Sequence, residues 1–216
     1  MADRERLNAL RVVLVTDGEG DAARLLRIVT AACAGGVRAV QLREPGLSAR
    51  ELATLCAQLR PVIAACGGVL LVNDRVDVAA ACADGAQVGH RSLPPPLARR
   101  ALGPDRVLGV SVHEAGELAG LAAAGADFAL LAPVWRTASK PGQRGLGVAA
   151  AGAITAASPL PVVWLGGVDV DKAAALAPLP RAQRPLGVAL RSGLCSARDV
   201  EAHSRAVVAA FAAVLD

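Results

Sequence analysis

The sequence contains no tyrosine, and aromatic residues make up only 2% of the chain. Proteins that hold single-stranded nucleic acid stack its bases on aromatic side chains, so this scarcity argues against a nucleic-acid partner. Lysine is nearly absent too, since Lys140 and Lys172 are the only two in 216 residues. Arginine supplies the other positive charges and is dispersed along the chain. The net charge of +4 therefore indicates a small anionic ligand.

The chain also lacks a long apolar run, although its mean hydropathy is +0.44. A membrane-spanning helix needs roughly 18 to 20 uninterrupted apolar residues, and Arg, Asp or Gly interrupts every run here. Residues 1–6 alternate in charge, unlike a secretory signal. We therefore expect a soluble cytoplasmic protein with no membrane partner.

Cysteine has neither the number nor the spacing of a structural framework. The five cysteines are odd in number, scattered, and embedded mostly in alanine-rich helical sequence. This pattern indicates neither disulfides nor a metal site, and it is typical of small buried hydrophobic residues in a reducing compartment. They are Cys33, Cys56, Cys66, Cys82 and Cys195.

Short β-rich runs alternate with helical segments along the whole chain. The runs are continuously apolar, as in strands buried on both faces of a parallel sheet. Eight such units predict an α/β fold, a (β/α)8 TIM barrel that forms a single domain over residues 1–216. The predicted strands are Val12–Thr16, Ala39–Leu42, Val69–Val72, Ala86–Gly89, Val107–Val112, Phe128–Val134, Val162–Gly166 and Gly187–Leu190.

The segments between the strands have apolar residues at helical spacing and often begin at Asp or Ser, the preferred N-cap types. The third and fourth helices should be short, and the run of three prolines at 94–96 can begin the fourth but cannot continue it. A proline-rich segment, 176–185, either shapes the pocket or replaces an ordinary helix end. Predicted helices include 21–34, 48–65, 75–83, 114–124 and 197–214.

In such a barrel the chemistry lies at the carboxyl ends of the strands. Glycines after the seventh strand and a Ser-Gly pair before the last helix predict a phosphate site, because both expose backbone N–H groups. Arg43 and Lys140 would add positive charge to the mouth. The predicted phosphate-binding residues are Gly166, Gly167, Ser192 and Gly193.

His113 ends the fifth strand, where an imidazole can exchange a proton near neutral pH, so we expect it to act in the chemistry. His90 follows the fourth strand but has no evident partner in its neighbours, and His203 falls within the C-terminal helix. Asp74 can supply one magnesium ligand. A second carboxylate is not evident, because Asp77 would lie in the following helix as a solvated charge or an arginine partner.

Six motifs in this order resemble those of the thiamine phosphate synthase and TenI superfamily, from the second strand to the eighth. They are Gln41-Leu42-Arg43-Glu44, Val72-Asn73-Asp74-Arg75-Val76-Asp77, Gly109-Val110-Ser111-Val112-His113, Pro133-Val134-Trp135-Arg136-Thr137-Ala138-Ser139-Lys140, Leu165-Gly166-Gly167-Val168 and Gly187-Val188-Ala189-Leu190-Arg191-Ser192-Gly193.

This resemblance implies a pattern of residues for the synthases, and the chain departs from it at three positions. Pro45 stands where the synthases have a lysine for pyrophosphate, and Ser92 replaces the second of two magnesium-binding aspartates. Gln87 stands where the synthases have histidine. Gln and Ser at the last two positions resemble the TenI-type thiazole tautomerases, so the tautomerase is the first interpretation. Asp74 complicates it, because the Asn-Asp pair is synthase-like.

The resemblance then implies a cofactor-free isomerase of thiamine biosynthesis. His113 would move a proton on a thiazole carboxylate phosphate and leave an aromatic ring. The partner is this small phosphorylated thiazole, and a homodimer is possible. The implied substrate-binding residues are Gln41, Arg43, Asn73, Gln87, Ser111, Thr137, Ser139 and Lys140.

Two alternatives stay open at this stage. One is a thiamine phosphate synthase that uses Mg²⁺ to join a hydroxymethylpyrimidine diphosphate to a thiazole phosphate. The other is a catalytically silent barrel that binds a thiamine precursor or acts as a regulatory partner.

Overall fold

A computed structural model describes residues 4–137, 142 and 144–215 of the chain. Eight parallel strands follow one another around a closed barrel, which confirms the predicted (β/α)8 architecture. The strands are β1 (Val12–Val15), β2 (Ala39–Leu42), β3 (Val69–Asn73), β4 (Gly85–Val88), β5 (Val107–Val112), β6 (Phe128–Leu131), β7 (Val162–Leu165) and β8 (Gly187–Leu190).

The barrel closes where β1 pairs with β8, with Val12 opposite Val188 and Leu14 opposite Leu190. Nearly every strand residue is buried, whichever face it points to. This explains why the strands read as continuous apolar runs and not as alternating ones.

Helices connect the strands on the outside of the barrel. Short 3₁₀ turns cover 9–11, 115–118 and 181–183. The helices are α1 (Arg4–Asn8), α2 (Ala22–Ala34), α3 (Ala49–Ala65), α4 (Val76–Cys82), α5 (Pro95–Leu102), α6 (Val148–Ala157), α7 (Val170–Ala174), α8 (Ser192–Cys195) and α9 (Val200–Leu215).

Side-chain caps fix the starts of the first two long helices. Asp21 accepts the backbone N–H of Arg24 at 2.9 Å before α2. Ser48 and Glu51 form a reciprocal capping box at the start of α3. Each cap satisfies amide groups that have no partner inside the helix, so these two boundaries agree with the sequence prediction within one residue.

The predicted helix over 114–124 is wrong. Only Ala115–Leu118 forms a 3₁₀ turn there, and turns continue the chain to β6. Gly120 and Gly125 take φ values of +77° and +86°, a left-handed conformation that stops a right-handed helix. The apolar spacing of this segment instead packs Leu118 and Leu121 against the core.

The proline-rich segment 176–185 replaces an ordinary helix end. The Arg184 guanidinium donates to the carbonyl oxygens of Leu179, Ala177 and Val214, which ties the segment to α9. Several of its residues border the amino-terminal ends of β7 and β8, opposite the end where chemistry is expected. The segment therefore stabilises the fold and does not line the mouth.

The core has two layers. One cluster, which includes Val13, Leu71 and Phe128, fills the barrel interior, and a larger cluster lies between the strands and the helices. Trp164 is fully buried in the outer layer, where its indole N–H donates to Thr155 Oγ1 at 2.8 Å.

All five cysteines are free thiols, and Cys33, Cys56 and Cys195 are buried. Burial raises the pKa of the Cys56 and Cys195 thiols to about 12, which keeps them protonated and unreactive. Over the part of the chain that the structure describes, we find no helix with the length and apolar character to span a membrane.

Gly187 gives a direct test of barrel closure. A Cβ at this position would lie 1.9 Å from the carbonyl oxygen of Leu10, so Gly187→Ala forces backbone to move inside a packed region. We expect the free energy of unfolding to fall by about 1–3 kcal/mol, the usual cost of overpacking. Urea denaturation monitored by tryptophan fluorescence measures it.

The matched control is Gly46→Ala, at an exposed glycine whose Cβ would meet nothing within 4 Å. Its free energy of unfolding should stay within about 0.5 kcal/mol of the parent value. Equal effects of the two substitutions would contradict the packing described here.

Candidate active site

Two adjoining cavities open at the carboxyl ends of the strands. They have volumes of about 200 and about 300 Å³, and we call them the glycine cavity and the aspartate cavity after residues described below. Both are lined by Val15, Arg43, Ala132 and Leu165. Arg43 therefore places one guanidinium where it can reach ligands in either cavity.

The glycine cavity contains the residues predicted to bind phosphate. Thr137 and Arg191 line it as well, and the lining glycines and serine are Gly166, Gly167, Ser192 and Gly193. The first backbone N–H groups of a helical turn have no acceptor within that turn. The free N–H groups at the start of α8 therefore lie at a cavity that is also lined by two arginines, Arg43 and Arg191.

The two glycines after β7 are also required by the fold. Gly166 and Gly167 have φ values of +107° and +68°. A Cβ at Gly166 would lie 2.9 Å from Pro133 Cα, and one at Gly167 would lie 2.5 Å from the Arg136 carbonyl oxygen. Because no side chain fits, the backbone itself forms the cavity wall.

The aspartate cavity is lined by Gln41, Asn73, Asp74, Ser111 and His113. Three of its polar side chains form a chain of hydrogen bonds. The amide of Gln41 donates to Asn73 Oδ1 at 2.9 Å, and the amide of Asn73 donates to Asp74 Oδ2 at 2.7 Å. The carboxyl ends of two adjacent strands, β2 and β3, are thereby connected.

Asp74 is also held from β4. Its other carboxylate oxygen accepts a hydrogen bond from the Ser92 hydroxyl, which in turn accepts the backbone N–H of Gly89 at 2.9 Å. Among the described residues, Asp74 is the only non-glycine with a left-handed backbone, at φ +61°. Such conformations cost of the order of 1–3 kcal/mol and cluster at functional sites.

Gln87 does not line either cavity. It is 1% exposed and lies beneath the mouth, where its amide donates to Ser111 Oγ at 3.1 Å. The expectation that Gln87 contacts the ligand is therefore corrected: it orients Ser111, and Ser111 faces the cavity.

His113 lies at the mouth beside His90. Its Nδ1 is 3.2 Å from His90 Nε2, and its backbone N–H donates to Glu117 Oε2 at 2.6 Å. Sequence reasoning found no partner for His90 because the partner belongs to the next strand. Neighbours along the chain give no signal of such a contact.

The loops after β1 and β2 are fixed by buried polar groups. Glu44 is 3% exposed and accepts the backbone N–H groups of Gly18 and Gly20 at 3.1 and 2.7 Å. Thr16 Oγ1 accepts the backbone N–H of Arg43 at 2.8 Å. These bonds determine where the Arg43 side chain leaves the backbone.

An ion pair stabilises the same rim. Partial burial acts to raise the pKa of Asp17, but the hydrogen bond and charge of Arg24, 2.7 Å away, outweigh it and lower that pKa. Asp77 pairs with Arg75, as expected of a residue outside the site. Ser139 and Lys140 lie outside the described residues.

A family profile described as thiamine monophosphate synthase matches residues 12–194. The chain is 38% identical over 196 residues to a thiamine-phosphate synthase of Moorella thermoacetica, covering 89% of this chain and 91% of the relative. It is 42% identical over 207 residues to one of Xanthobacter autotrophicus, covering 94% and 96%.

A solved structure shares the fold. Thiamine phosphate pyrophosphorylase from Pyrococcus furiosus superposes with a TM-score of 0.85 at 27% identity, covering 97% of this chain and 99% of that chain.

Arg43 should dominate anion binding at the mouth, because it lines both cavities. Arg43→Gln keeps a polar side chain and removes the charge. We expect the affinity for inorganic pyrophosphate to fall about 10- to 100-fold, since a charged hydrogen bond contributes roughly 1.5–3 kcal/mol. Isothermal titration calorimetry measures the change.

Arg181→Gln is the control, because Arg181 is exposed near the opposite end of the barrel. It should bind pyrophosphate like the parent chain. If both variants weaken binding equally, the anion is attracted by net charge and not by the mouth.

Proposed function

The chain belongs to the thiamine monophosphate synthase family, and on this premise we propose that it is a thiamine-phosphate synthase. It would join hydroxymethylpyrimidine diphosphate to thiazole phosphate and release pyrophosphate. Relatives at 37–42% identity over most of the chain carry this name. They support the synthase alternative better than the tautomerase, which the sequence interpretation put first.

The paired cavities favour a reaction of two substrates. A tautomerase has to hold one phosphorylated ring, whereas a synthase has to hold two phosphorylated molecules with their reacting atoms adjacent. The glycine cavity fits the single phosphate of the thiazole. The aspartate cavity would hold the pyrimidine diphosphate, and Arg43 lies where the two cavities meet.

The single observation that carries the proposal is the position of Asp74. Its carboxylate lines the aspartate cavity on a strained backbone and is held by Asn73 and Ser92. A tautomerase that works by proton transfer at His113 has no evident use for this arrangement. A synthase needs a carboxylate here for the magnesium ion that accompanies a diphosphate.

The residues present fit magnesium. Mg²⁺ is usually bound through one or two carboxylates together with substrate phosphates. Asp74 would supply the carboxylate and Ser92 a neutral oxygen. When bound, the ion supplies positive charge that stabilises the departing diphosphate.

Ser92 stands where the synthase pattern has a second aspartate, and this replacement should lower the affinity for magnesium. A charge-assisted contact is worth roughly 1.5–3 kcal/mol, so one carboxylate should bind the ion more weakly than two. Pro45 stands where the synthase pattern has a lysine, so the diphosphate lacks a further positively charged partner. Arg43 and Arg91 line the aspartate cavity together with Asp74, and their charges can offset part of this loss.

The protein's own groups would then orient the two substrates and stabilise the departing diphosphate. The backbone at Gly166, Gly167 and Gly193 would hold the thiazole phosphate, which aims the ring nitrogen at the methylene carbon of the pyrimidine. The thiazole nitrogen forms a bond to that carbon while the bond between the carbon and the diphosphate oxygen breaks. The electron pair of the broken bond leaves with the diphosphate. Arg43 would stabilise the charge that develops there.

The thiazole tautomerase is the second candidate, favoured by the hydrogen-bonded pair of Gln87 and Ser111 beside His113. In that reaction the imidazole of His113 would take a proton from the ring carbon and return one to the exocyclic carbon. No diphosphate and no metal would take part.

A two-substrate assay distinguishes these functions. We expect the purified chain to form thiamine phosphate from the two precursors, and only with added Mg²⁺. Asp74→Asn should lower kcat/KM by about 10- to 100-fold, the equivalent of one lost charged contact. Chromatographic detection of the thiochrome derivative gives the rate.

A different outcome of the same assay would identify a tautomerase. If no thiamine phosphate forms, while the non-aromatic thiazole carboxylate phosphate is converted without metal and His113→Asn stops that conversion, the chain is a tautomerase.

Ser92 should set the magnesium requirement. Ser92→Asp restores a second carboxylate next to Asp74, so the Mg²⁺ concentration for half-maximal synthase rate should fall by about tenfold or more. Ser92→Asn is similar in size and uncharged, and it should give no such gain. A Mg²⁺ dependence that is the same in both variants would show that the metal does not bind between these strands.

A further inference from the structure

Two histidines and one carboxylate converge on the side of the mouth formed by β4 and β5. His90 follows β4, His113 follows β5, and Glu117 lies in the 3₁₀ turn after β5. His90 Nε2 is 3.2 Å from His113 Nδ1 and 3.4 Å from Glu117 Oε1. His113 Nδ1 is 3.5 Å from Glu117 Oε2.

These separations match those between the ligands of a tetrahedral metal ion. Zinc binds imidazole nitrogen and carboxylate oxygen at about 2.0–2.2 Å, which places neighbouring ligand atoms about 3.3–3.6 Å apart. Among the described residues, this is the only group of three such side chains whose ligand atoms lie close enough together for one ion. We propose that His90, His113 and Glu117 bind a zinc ion, with the fourth coordination position open to water.

The carboxylate is held in place before any ion arrives. Glu117 Oε2 accepts the backbone N–H of His113 at 2.6 Å, which ties the third ligand to the second. Hydrogen bonds of this kind orient metal ligands and strengthen binding. The ring centroids of the two histidines are 5.1 Å apart, so a small adjustment of the exposed His90 ring is enough to direct both nitrogens to one point.

A hydrogen bond between the two imidazoles explains the position of Glu117 less well than a bound ion does. Such a bond uses one proton between the two nitrogens and leaves the Glu117 oxygens at 3.4 and 3.5 Å from those same nitrogens. These are long for charge-assisted hydrogen bonds, which are typically 2.7–2.9 Å. An ion bound by the two imidazole nitrogens and one Glu117 oxygen would explain why all three side chains converge, since their ligand atoms lie within 4.8 Å of one another.

The ligand set selects a transition metal over magnesium. Imidazole suits zinc, copper and nickel, whereas magnesium prefers oxygen ligands. The cluster is therefore chemically distinct from Asp74 and does not depend on the proposed synthase reaction. Its side chains are accessible to an ion in solution, with 61%, 32% and 26% exposure for His90, His113 and Glu117.

Zinc binding would change what His113 can do. The ion would take the lone pair of Nδ1, so this nitrogen could no longer accept a proton while zinc is bound. Metal occupancy and proton transfer at this atom exclude each other. Zinc would also occupy one wall of the aspartate cavity, which His90 and His113 line.

The test uses Zn²⁺ alone and the full chain without a histidine tag. Competition with a chromogenic chelator, in excess Mg²⁺, should show one zinc per chain. His90→Gln and Glu117→Gln should each weaken zinc binding by at least about tenfold, because even losing a partner that only supports a metal ligand costs that much. Both variants leave the backbone contact of Glu117 possible, so folding should be preserved.

His203→Gln is the matched control, since it removes the one histidine that is outside the cluster and lies in α9. It should bind zinc as the parent does. Co²⁺ in place of zinc should give the intense visible absorption of four-coordinate cobalt without a thiolate charge-transfer band, and His90→Gln should lose this absorption.

Three results would overturn the proposal. They are equal zinc affinity in the parent and His90→Gln, an equal loss in His203→Gln, and a cobalt spectrum with a thiolate band, which would assign the metal to cysteine.

Discussion

The pairing of β1 with β8 is the constraint on which the rest of the molecule depends. It closes a sheet whose strands all run in one direction, so every carboxyl end meets at the same mouth. Residues far apart in the chain, such as Arg43 and Arg191, thereby line one cavity. An open sheet of the same strands would have left its first and last members at opposite edges.

The sequence was sufficient to predict the strands because burial on both faces requires continuous apolar runs. Each strand begins or ends within a few residues of its predicted bounds, and the Asp21 and Ser48 caps locate two helices as closely. The segment 114–124 was mispredicted because its apolar spacing resembles that of a helix. Backbone conformation at its glycines decided against helix, and spacing carries no information about that.

The site was predictable only in part. Strand-end position identified most of the residues that line the two cavities, but it could not distinguish Ser111 at the surface from Gln87 beneath it. It also missed the contacts between adjacent strands: His90 with His113, and Ser92 with Asp74. Such contacts depend on register and loop geometry, which one sequence does not encode in any local pattern.

These contacts group oxygen atoms around Asp74 and imidazole nitrogens around His113, and the two metal-ion proposals rest on these two groups. The central claim is that Asp74 holds the magnesium of a diphosphate while the glycine cavity holds a second phosphate. A crystal structure with thiazole phosphate, pyrophosphate and Mg²⁺ tests it most directly. We predict the metal on Asp74 and the thiazole phosphate against Gly166 and Gly193. Pyrophosphate bound elsewhere, with Asp74 still bonded only to Asn73 and Ser92, would contradict the account.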